Sequence, residues 1–344
     1  MKAIAINAFG DSSQFKLLDL PMPEPKENEV RLRIKASGFN PVDYKIREGH
    51  YGGGSFPLVL GSDAAGVIDK VGSGVKEYQA GDEVYALIFG QGSNGAYAEY
   101  VCIDTSFISH KPKNISFEEA AAIPLVGITA YRAVSSSGGI PKGLPVFIAG
   151  GSGGVGSLAV QMAKHFGADV FTTAGSEESA TYISEYLNVK KENILLYKGL
   201  AVEEMKNKLL EMNKGELFAF AIDLIGGEMK KLCLEVAGFQ GHVTSILPEE
   251  KGFPVDLLTR GESIAFQKSL SIHFIFVGSQ SFYGDRLTWK AYKKELLYLK
   301  TLLEEGSLRM PTIQVVGDLS IETVKKAHQL LEEGHVKGKL IMKT

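Results

Sequence analysis

The chain opens by alternating. Lys2-Ala3-Ile4-Ala5-Ile6 and Val30-Arg31-Leu32-Arg33-Ile34 repeat with period two, and further apolar runs surround Val67-Ile68 and Glu83-Val84-Tyr85-Ala86-Leu87. Successive strand residues point to opposite faces, so this period predicts strands with one face against a core. Gly72-Ser73-Gly74 and Gly81-Asp82 punctuate them as turns. Short strands at close spacing up to Pro124 suggest a barrel-like antiparallel domain.

From Val146 the rhythm changes to apolar strand, helix, apolar strand. Val146-Phe147-Ile148-Ala149 is wholly apolar, as a parallel strand covered on both faces must be. Similar runs recur at Val170-Phe171-Thr172-Thr173, Ile194-Leu195-Leu196, Phe218-Ala219-Phe220-Ala221-Ile222, His242-Val243-Thr244-Ser245-Ile246 and Ile272-His273-Phe274-Ile275-Phe276-Val277. Such runs with helical segments between most of them describe an α/β doubly wound parallel sheet. The tail predicts a helix from about Trp289 to Glu305, a short strand near Ile313 and a helix that Ser320 starts and Gly334 stops. A last strand follows at Lys339-Leu340-Ile341-Met342. Asn40-Pro41 also reads as a helix start, with Asn40 at the N-cap and Gly49 ending the turn.

Composition narrows the class. A chain of 344 residues exceeds what one core usually supports, which predicts two domains. The net charge of −3 and the absence of long basic runs give no footprint for nucleic acid or a membrane surface. No apolar run is long enough to span a bilayer. Two distant cysteines, Cys102 and Cys233, exclude a Cys-rich zinc lobe or a disulfide scaffold. They suit a reducing compartment, and with no signal-like start the expectation is cytoplasmic.

The strongest chemical signal is Ala149-Gly150-Gly151-Ser152-Gly153-Gly154-Val155-Gly156, directly after an apolar strand and before a helical pattern. Gly151, Gly153 and Gly156 satisfy the dinucleotide fingerprint in its strand-turn-helix context. Glycines let backbone N–H groups approach a pyrophosphate, and the helix start adds partial positive charge. The next strand ends in Ala174-Gly175-Ser176, where a carboxylate for a free ribose 2′-hydroxyl would stand. Its absence, and a serine able to donate to a 2′-phosphate, point to NADPH, against which Glu177 and Glu178 follow closely and no Arg or Lys is nearby in sequence. Ser176 serves equally well as the cap of the following helix.

Several motifs in order, Ser37-Gly38-Phe39-Asn40-Pro41-Val42-Asp43, Leu60-Gly61-Ser62-Asp63-Ala64-Ala65-Gly66-Val67, Gly81-Asp82-Glu83-Val84, Gly95-Ala96-Tyr97-Ala98-Glu99-Tyr100-Val101 and Pro124-Leu125-Val126-Gly127-Ile128-Thr129-Ala130-Tyr131, carry a resemblance. Asp223-Leu224-Ile225-Gly226-Gly227 and Gly334-His335-Val336-Lys337-Gly338-Lys339 complete it. The whole chain resembles the zinc-independent quinone oxidoreductase and enone reductase branch of the medium-chain dehydrogenase/reductase superfamily. Zinc-bearing relatives keep Cys where this chain has Asn40 and His-Glu where it has Ser62-Asp63, so the resemblance implies no zinc. It implies a GroES-like β-barrel catalytic domain, residues 1–126 and 287–344, around a Rossmann dinucleotide-binding domain, residues 127–286. It further implies homodimers joined along the edge strand Ile272 to Val277.

By the same resemblance, Phe39, Asn40, Thr129 and Lys339 lie around the nicotinamide. Gly151, Ser152, Gly153, Gly154, Val155 and Gly156 hold the pyrophosphate, with Ser176 and Tyr197 beside the adenosine phosphate. Ile225, Ile246 and Val277 face the cofactor from strand ends. The implied catalytic set is Asn40, Lys45, Tyr51 and Thr129: Lys45 aimed at the substrate oxygen or else a solvated helix lysine, Tyr51 in the substrate cleft as a hydrogen-bond donor or only as its wall. Read from the residues alone, His50 is the nearest titratable proton source or else an ordinary exposed loop histidine, and Asp43, one turn past Asn40, serves to orient loops. One departure concerns NADPH, because many relatives have Lys where this chain has Ser179. The expected activity is NADPH-dependent reduction of quinones or α,β-unsaturated carbonyls by hydride transfer. The alternatives are an enoyl-thioester reductase and a non-catalytic NADPH-binding structural or redox-sensor homologue.

Overall fold

A computed structural model describes residues 1–51, 55–89, 95–248, 255–257, 259, 261–334, 336 and 338–344. His335 and Lys337 of the C-terminal motif lie outside the described residues. The chain divides into two compact units, Met1–Ile128 with Val277–Thr344, and Thr129–Phe276.

The first unit is built on a seven-stranded sheet in the order Ile313–Asp318, Lys339–Lys343, Glu29–Phe39, Asp63–Val71, Glu83–Leu87, Ile108–His110, with Tyr100–Asp104 also paired to Glu29–Phe39. Lys16–Asp19, Lys2–Ile6 and Leu58–Val59 form a separate three-stranded sheet, and an isolated bridge pairs Ala3 with Ala98, just ahead of Tyr100–Asp104. All pairs are antiparallel except Ile313–Asp318 with Lys339–Lys343, which is parallel. The strand Lys339–Lys343 pairs with Ser37, Gly38 and Phe39, so the chain's end completes a sheet begun near its start. Ile4, Ile6, Phe39, Tyr97, Val324 and Leu340 share one buried cluster.

The second unit is a six-stranded, all-parallel sheet. Its order is Ile194–Leu196, Asp169–Ala174, Pro145–Ala149, Phe218–Asp223, Ala237–Ser245, Ser271–Phe274. In chain order that is 3-2-1-4-5-6, and the sequence of strands reverses direction between Pro145–Ala149 and Phe218–Asp223. Each expected apolar run contributes a strand to this sheet.

Two boundaries differ from the sequence reading. The run Ile272 to Val277 makes a strand only at Ser271–Phe274, and the chain then turns toward the helix Ser279–Tyr283. Val277 is therefore not a strand residue: it is buried, and its carbonyl accepts a hydrogen bond from the Tyr292 hydroxyl. The helix expected at Trp289 starts earlier, at Arg286, because Asp285 accepts from the amides of Leu287 and Thr288 and caps it.

The glycine loop shows why glycine is required there. A Cβ on Gly156 would sit 1.9 Å from the Gly150 carbonyl oxygen, and one on Gly151 would sit 2.3 Å from Thr172 Oγ1. Gly150 itself has φ of 91°. A Cβ on Gly153 meets only the Gly150 carbonyl oxygen, at 3.7 Å. Two glycines thus let the helix Gly154–His165 pack against the strand, while the third leaves open space. Gly156→Ala is expected to cost about 1–3 kcal/mol of stability through overpacking, and Gly153→Ala much less. Urea unfolding of the two variants checks this, and equal losses would contradict it.

Candidate active site

In the second unit the expected cofactor residues converge on one edge, the carboxyl ends of the parallel strands. Gly150 to Gly156 follow Pro145–Ala149, Gly175 and Ser176 follow Asp169–Ala174, and Tyr197 follows Ile194–Leu196. Ile225 and Ile246 follow the next two strands. Open α/β sheets bind ligands outside this edge, where the strand order reverses. The loop is held from below: the Gly150 N–H donates to Thr173 Oγ1 (2.9 Å), and Thr172 Oγ1 donates to the Ile148 carbonyl (2.6 Å). Ile225, partly exposed, packs against Gly150. Its turn is set by Asp223, whose Oδ1 accepts from the N–H groups of Ile225 (3.0 Å) and Gly226 (2.7 Å). Gly153 is the N-cap of the 12-residue helix Gly154–His165, so unsatisfied N–H groups face this edge.

Ser176 is exposed, but its hydroxyl is engaged. It accepts from the Ser179 N–H (3.2 Å) and donates to Ser179 Oγ (3.2 Å), capping the helix Glu177–Thr181. The capping role is thus present in the structure. The Tyr197 hydroxyl lies 3.3 Å from where a Gly175 Cβ would be, so these two positions adjoin.

In the first unit the polar side chains are turned inward. Asn40 holds the N-cap position of the helix Pro41–Arg47, but Asp43 does the capping, its Oδ2 accepting from the Asn40 N–H (2.8 Å). The Asn40 side chain does something else: Nδ2 donates to Asp63 Oδ2 (2.8 Å), while Oδ1 accepts from Lys339 Nζ. Lys339 also donates to the Phe39 carbonyl (3.0 Å) and to Asp63 Oδ2 (3.3 Å). An ammonium has three donors, and all three are used. The sequence reading set Phe39, Asn40 and Lys339 around a nicotinamide. Here Phe39 is 1% exposed, Asn40 0% and Lys339 4%, with their polar atoms directed at one another. Lys339 thus closes a buried cluster with Asn40 and Asp63.

A second chain of bonds runs through the same interior. Ser62 Oγ donates to Asp43 Oδ1 (2.6 Å), the Tyr97 hydroxyl donates to Asp43 Oδ2 (3.2 Å), and Tyr97 Oη lies 3.1 Å from His328 Nε2. Arg47 Nη1 lies 3.4 Å from His328 Nδ1 and donates to Glu332 Oε1 (2.6 Å). Because a guanidinium only donates, Nδ1 must accept, which leaves the proton on Nε2 to reach Tyr97. Tyr97, Arg47 and His328 were not foreseen from sequence. The residues of the Arg47–His328 contact lie 281 positions apart, which no local pattern reveals.

The outer face of Pro41–Arg47 carries Lys45, half-buried. Among the described residues no hydrogen bond or ion pair reaches its ammonium. Tyr51 is 44% exposed, and partial burial raises its hydroxyl's pKa. Thr129 is buried in the helix Pro124–Ser135.

Burial moves two groups of the interior in opposite directions. It pushes the Asp43 carboxyl up to about 6, against the lowering effect of the Ser62 and Asn40 donors. It pushes His328 down to about 3, helped by the Arg47 charge. The folded state thus binds the Asp43 proton more tightly than the unfolded chain does. Asp43's contribution is full below about 4 and is lost as pH rises through 6, on the order of 3 kcal/mol. For His328 the contribution is full above its ordinary 6.5 and is lost as pH falls through 3. The stability of wild type relative to Asp43→Asn is therefore expected to fall as pH rises from 4 to 6.5. Relative to His328→Asn it is expected to fall as pH drops from 6.5 toward 3. Urea midpoints across this range read both, and pH-independent differences would contradict the assignment.

Comparison with known proteins places the chain. Residues 26–113 match the family described as alcohol dehydrogenase GroES-like domain, and residues 154–290 match the one described as zinc-binding dehydrogenase. A 2-methylene-furan-3-one reductase of Solanum lycopersicum is 32% identical, the alignment covering 99% of this chain and 79% of the relative. The mitochondrial NAD(P)H oxidoreductase RTN4IP1 of Danio rerio is 30% identical over 92% of this chain and 83% of its own length. The quinone oxidoreductase structure from Pseudomonas syringae pv. tomato superposes with a TM-score of 0.83 at 26% identity, covering 100% of this chain and 99% of that one. With its GroES-like sheet unit and its Rossmann unit, the chain belongs to the medium-chain dehydrogenase/reductase superfamily, a family of nicotinamide-dependent oxidoreductases.

Proposed function

We propose that the protein is an NADPH-dependent reductase of α,β-unsaturated carbonyls or quinones that works without zinc. The observation that carries the nucleotide is the glycine loop at the carboxyl edge of the parallel sheet, uncrowded at Gly153 and with a helix N-terminus behind it. Gly151 to Gly156 would hold the pyrophosphate, and Ile225 and Ile246 would line the same edge. Bound NADPH supplies the hydride. No carboxylate stands at Gly175 or Ser176 to repel a 2′-phosphate, which supports NADPH over NADH.

The chemistry of positions 40, 62 and 63 supports the zinc-free reading. Where zinc-bearing relatives place Cys, His and Glu, this chain has Asn, Ser and Asp, with the Lys339 ammonium seated among them. That ammonium already supplies the positive charge, and a divalent cation beside it would be repelled. Lys45 takes the electrophilic role, its ammonium stabilising the oxygen on which negative charge develops as the β-carbon receives hydride. Tyr51 supports substrate binding in the same role as a donor, and Thr129 holds the nicotinamide side of the site.

The assembly follows the family resemblance: a cytoplasmic homodimer joined along Ser271–Phe274, an end strand of the sheet. Among the described residues no helix is long and apolar enough to cross a membrane.

Purified protein is expected to oxidise NADPH with 9,10-phenanthrenequinone or a short-chain enone, followed by loss of NADPH absorbance. NADPH binding with turnover of neither acceptor would favour the non-catalytic alternative. Lys45→Ala should lower enone turnover about 100-fold and leave NADPH affinity nearly intact; unchanged turnover removes Lys45 from the mechanism. Gly175→Asp should weaken NADPH about tenfold while NADH is little changed, read by fluorescence titration. Parallel losses for the two nucleotides would refute the 2′-phosphate assignment.

A further inference from the structure

We propose, on the hydride-transfer reading above, that Asp63 is a positioning residue. One of its carboxylate oxygens fixes the Asn40 amide, and the other fixes the first turn of the helix that carries Thr129. Asp63 begins the strand Asp63–Val71 and is 0% exposed. Its Oδ2 accepts from Asn40 Nδ2 (2.8 Å) and from Lys339 Nζ (3.3 Å), and its Oδ1 accepts from the Leu125 N–H (2.8 Å). Leu125 is the second residue of Pro124–Ser135, so its N–H is among those that no carbonyl of the helix itself can satisfy. A carboxylate there also meets the positive end of the helix.

The tie reaches the reactive part of the helix by simple geometry. Leu125 and Thr129 are four residues apart, hence on one face, one turn from each other. Fixing the Leu125 amide fixes the rotation and height of that face. The approach to the helix is clamped as well: a Cβ on Gly38 would lie 2.2 Å from the Ala121 carbonyl oxygen and 3.1 Å from Asp63 Cβ. Phe39 and Asn40, the helix start and Asp63 therefore share one rigid junction.

Stability alone gives no reason for a carboxylate here. Removing an ion from water costs several kcal/mol, the partner ammonium returns about that much, and an apolar pair of similar volume serves a core as well or better. An apolar pair could not hold the Asn40 amide in one orientation or accept a helix N–H. What the carboxylate adds is geometry.

Asp63→Asn keeps the shape but puts an amide NH2 against either the Asn40 amide and Lys339 or the Leu125 N–H. It is expected to lower kcat for enone reduction about 100-fold, since small misplacements cost that much. The NADPH Kd, read by fluorescence titration, should change less than threefold. Amide hydrogen exchange over residues 121–130 should accelerate. Asp63→Leu with Lys339→Met removes both charges, and is expected to recover thermal stability but not kcat. The proposal is overturned if Asp63→Asn retains wild-type kcat, or if the double variant regains kcat together with stability, because then Asp63 only balances Lys339. If wild type reduces neither acceptor, the hydride-transfer reading falls separately. Exchange at 121–130 then decides the tie, and unchanged exchange in Asp63→Asn overturns it.

Discussion

A charge taken out of water must be answered where it sits. Asp63 and Lys339 are 276 residues apart in sequence and both are buried, so neither can be tolerated until the chain's last strand has docked beside the strand Glu29–Phe39. That condition couples the two ends of the first unit. The antiparallel pairing of Leu340 with Phe39 brings Lys339 opposite Asn40, and the backbone register and the charge balance select the same arrangement. A slip of one residue would turn Lys339 to the opposite face and leave a buried carboxylate unpaired.

The two units solve the problem of building a site by different means. In the Rossmann unit the polarity offered to a diphosphate comes from the backbone: glycines bring N–H groups and a helix end to the strand edge, with Ile225 and Ile246 among the side chains that follow the strands. Side-chain charge is not needed to attract a diphosphate where a helix end already supplies it. In the GroES-like unit polarity comes from side chains held under the surface. A cluster of Asn40, Asp43, Ser62, Asp63, Tyr97, His328 and Lys339 fills the interior, each polar atom directed at another. Such a network rigidifies because breaking one bond strands several groups at once.

Local chemistry was legible in the sequence and distant chemistry was not. The parallel strands announced themselves because both faces are covered, which leaves continuous apolar runs, and the glycine loop because the Thr172 side chain crowds Gly151 and the Gly150 backbone crowds Gly156. The same rule overran at Ile275-Phe276-Val277, where apolar residues continue past the strand because the following segment is also buried at Val277. The start of Arg286–Glu304 was missed because the capping Asp285 outweighs the more conspicuous Trp289 four residues later. Asn40 was legible as an N-cap position, yet the function of its side chain was decided by Asp63 and Lys339. Ser176 showed the converse: of the two roles the sequence offers it, the helix cap is the one visible in its bonds with Ser179.

The helix Pro41–Arg47 shows how the interior governs the surface. Seven residues are too few to hold a helix by their own hydrogen bonds. Its order comes from its inner face, where Asp43 and Arg47, one turn apart, are anchored separately. Asp43 is bonded to Ser62 and Tyr97, and Arg47 to Glu332, Glu48 and the Gly10 carbonyl. Lys45 lies between them in sequence and on the other face in space, its ammonium without a partner among the described residues. An ammonium on a long flexible stem is a poor instrument unless its base is fixed. The inner anchors fix that base, so the direction in which Lys45 projects is determined by residues that never meet it.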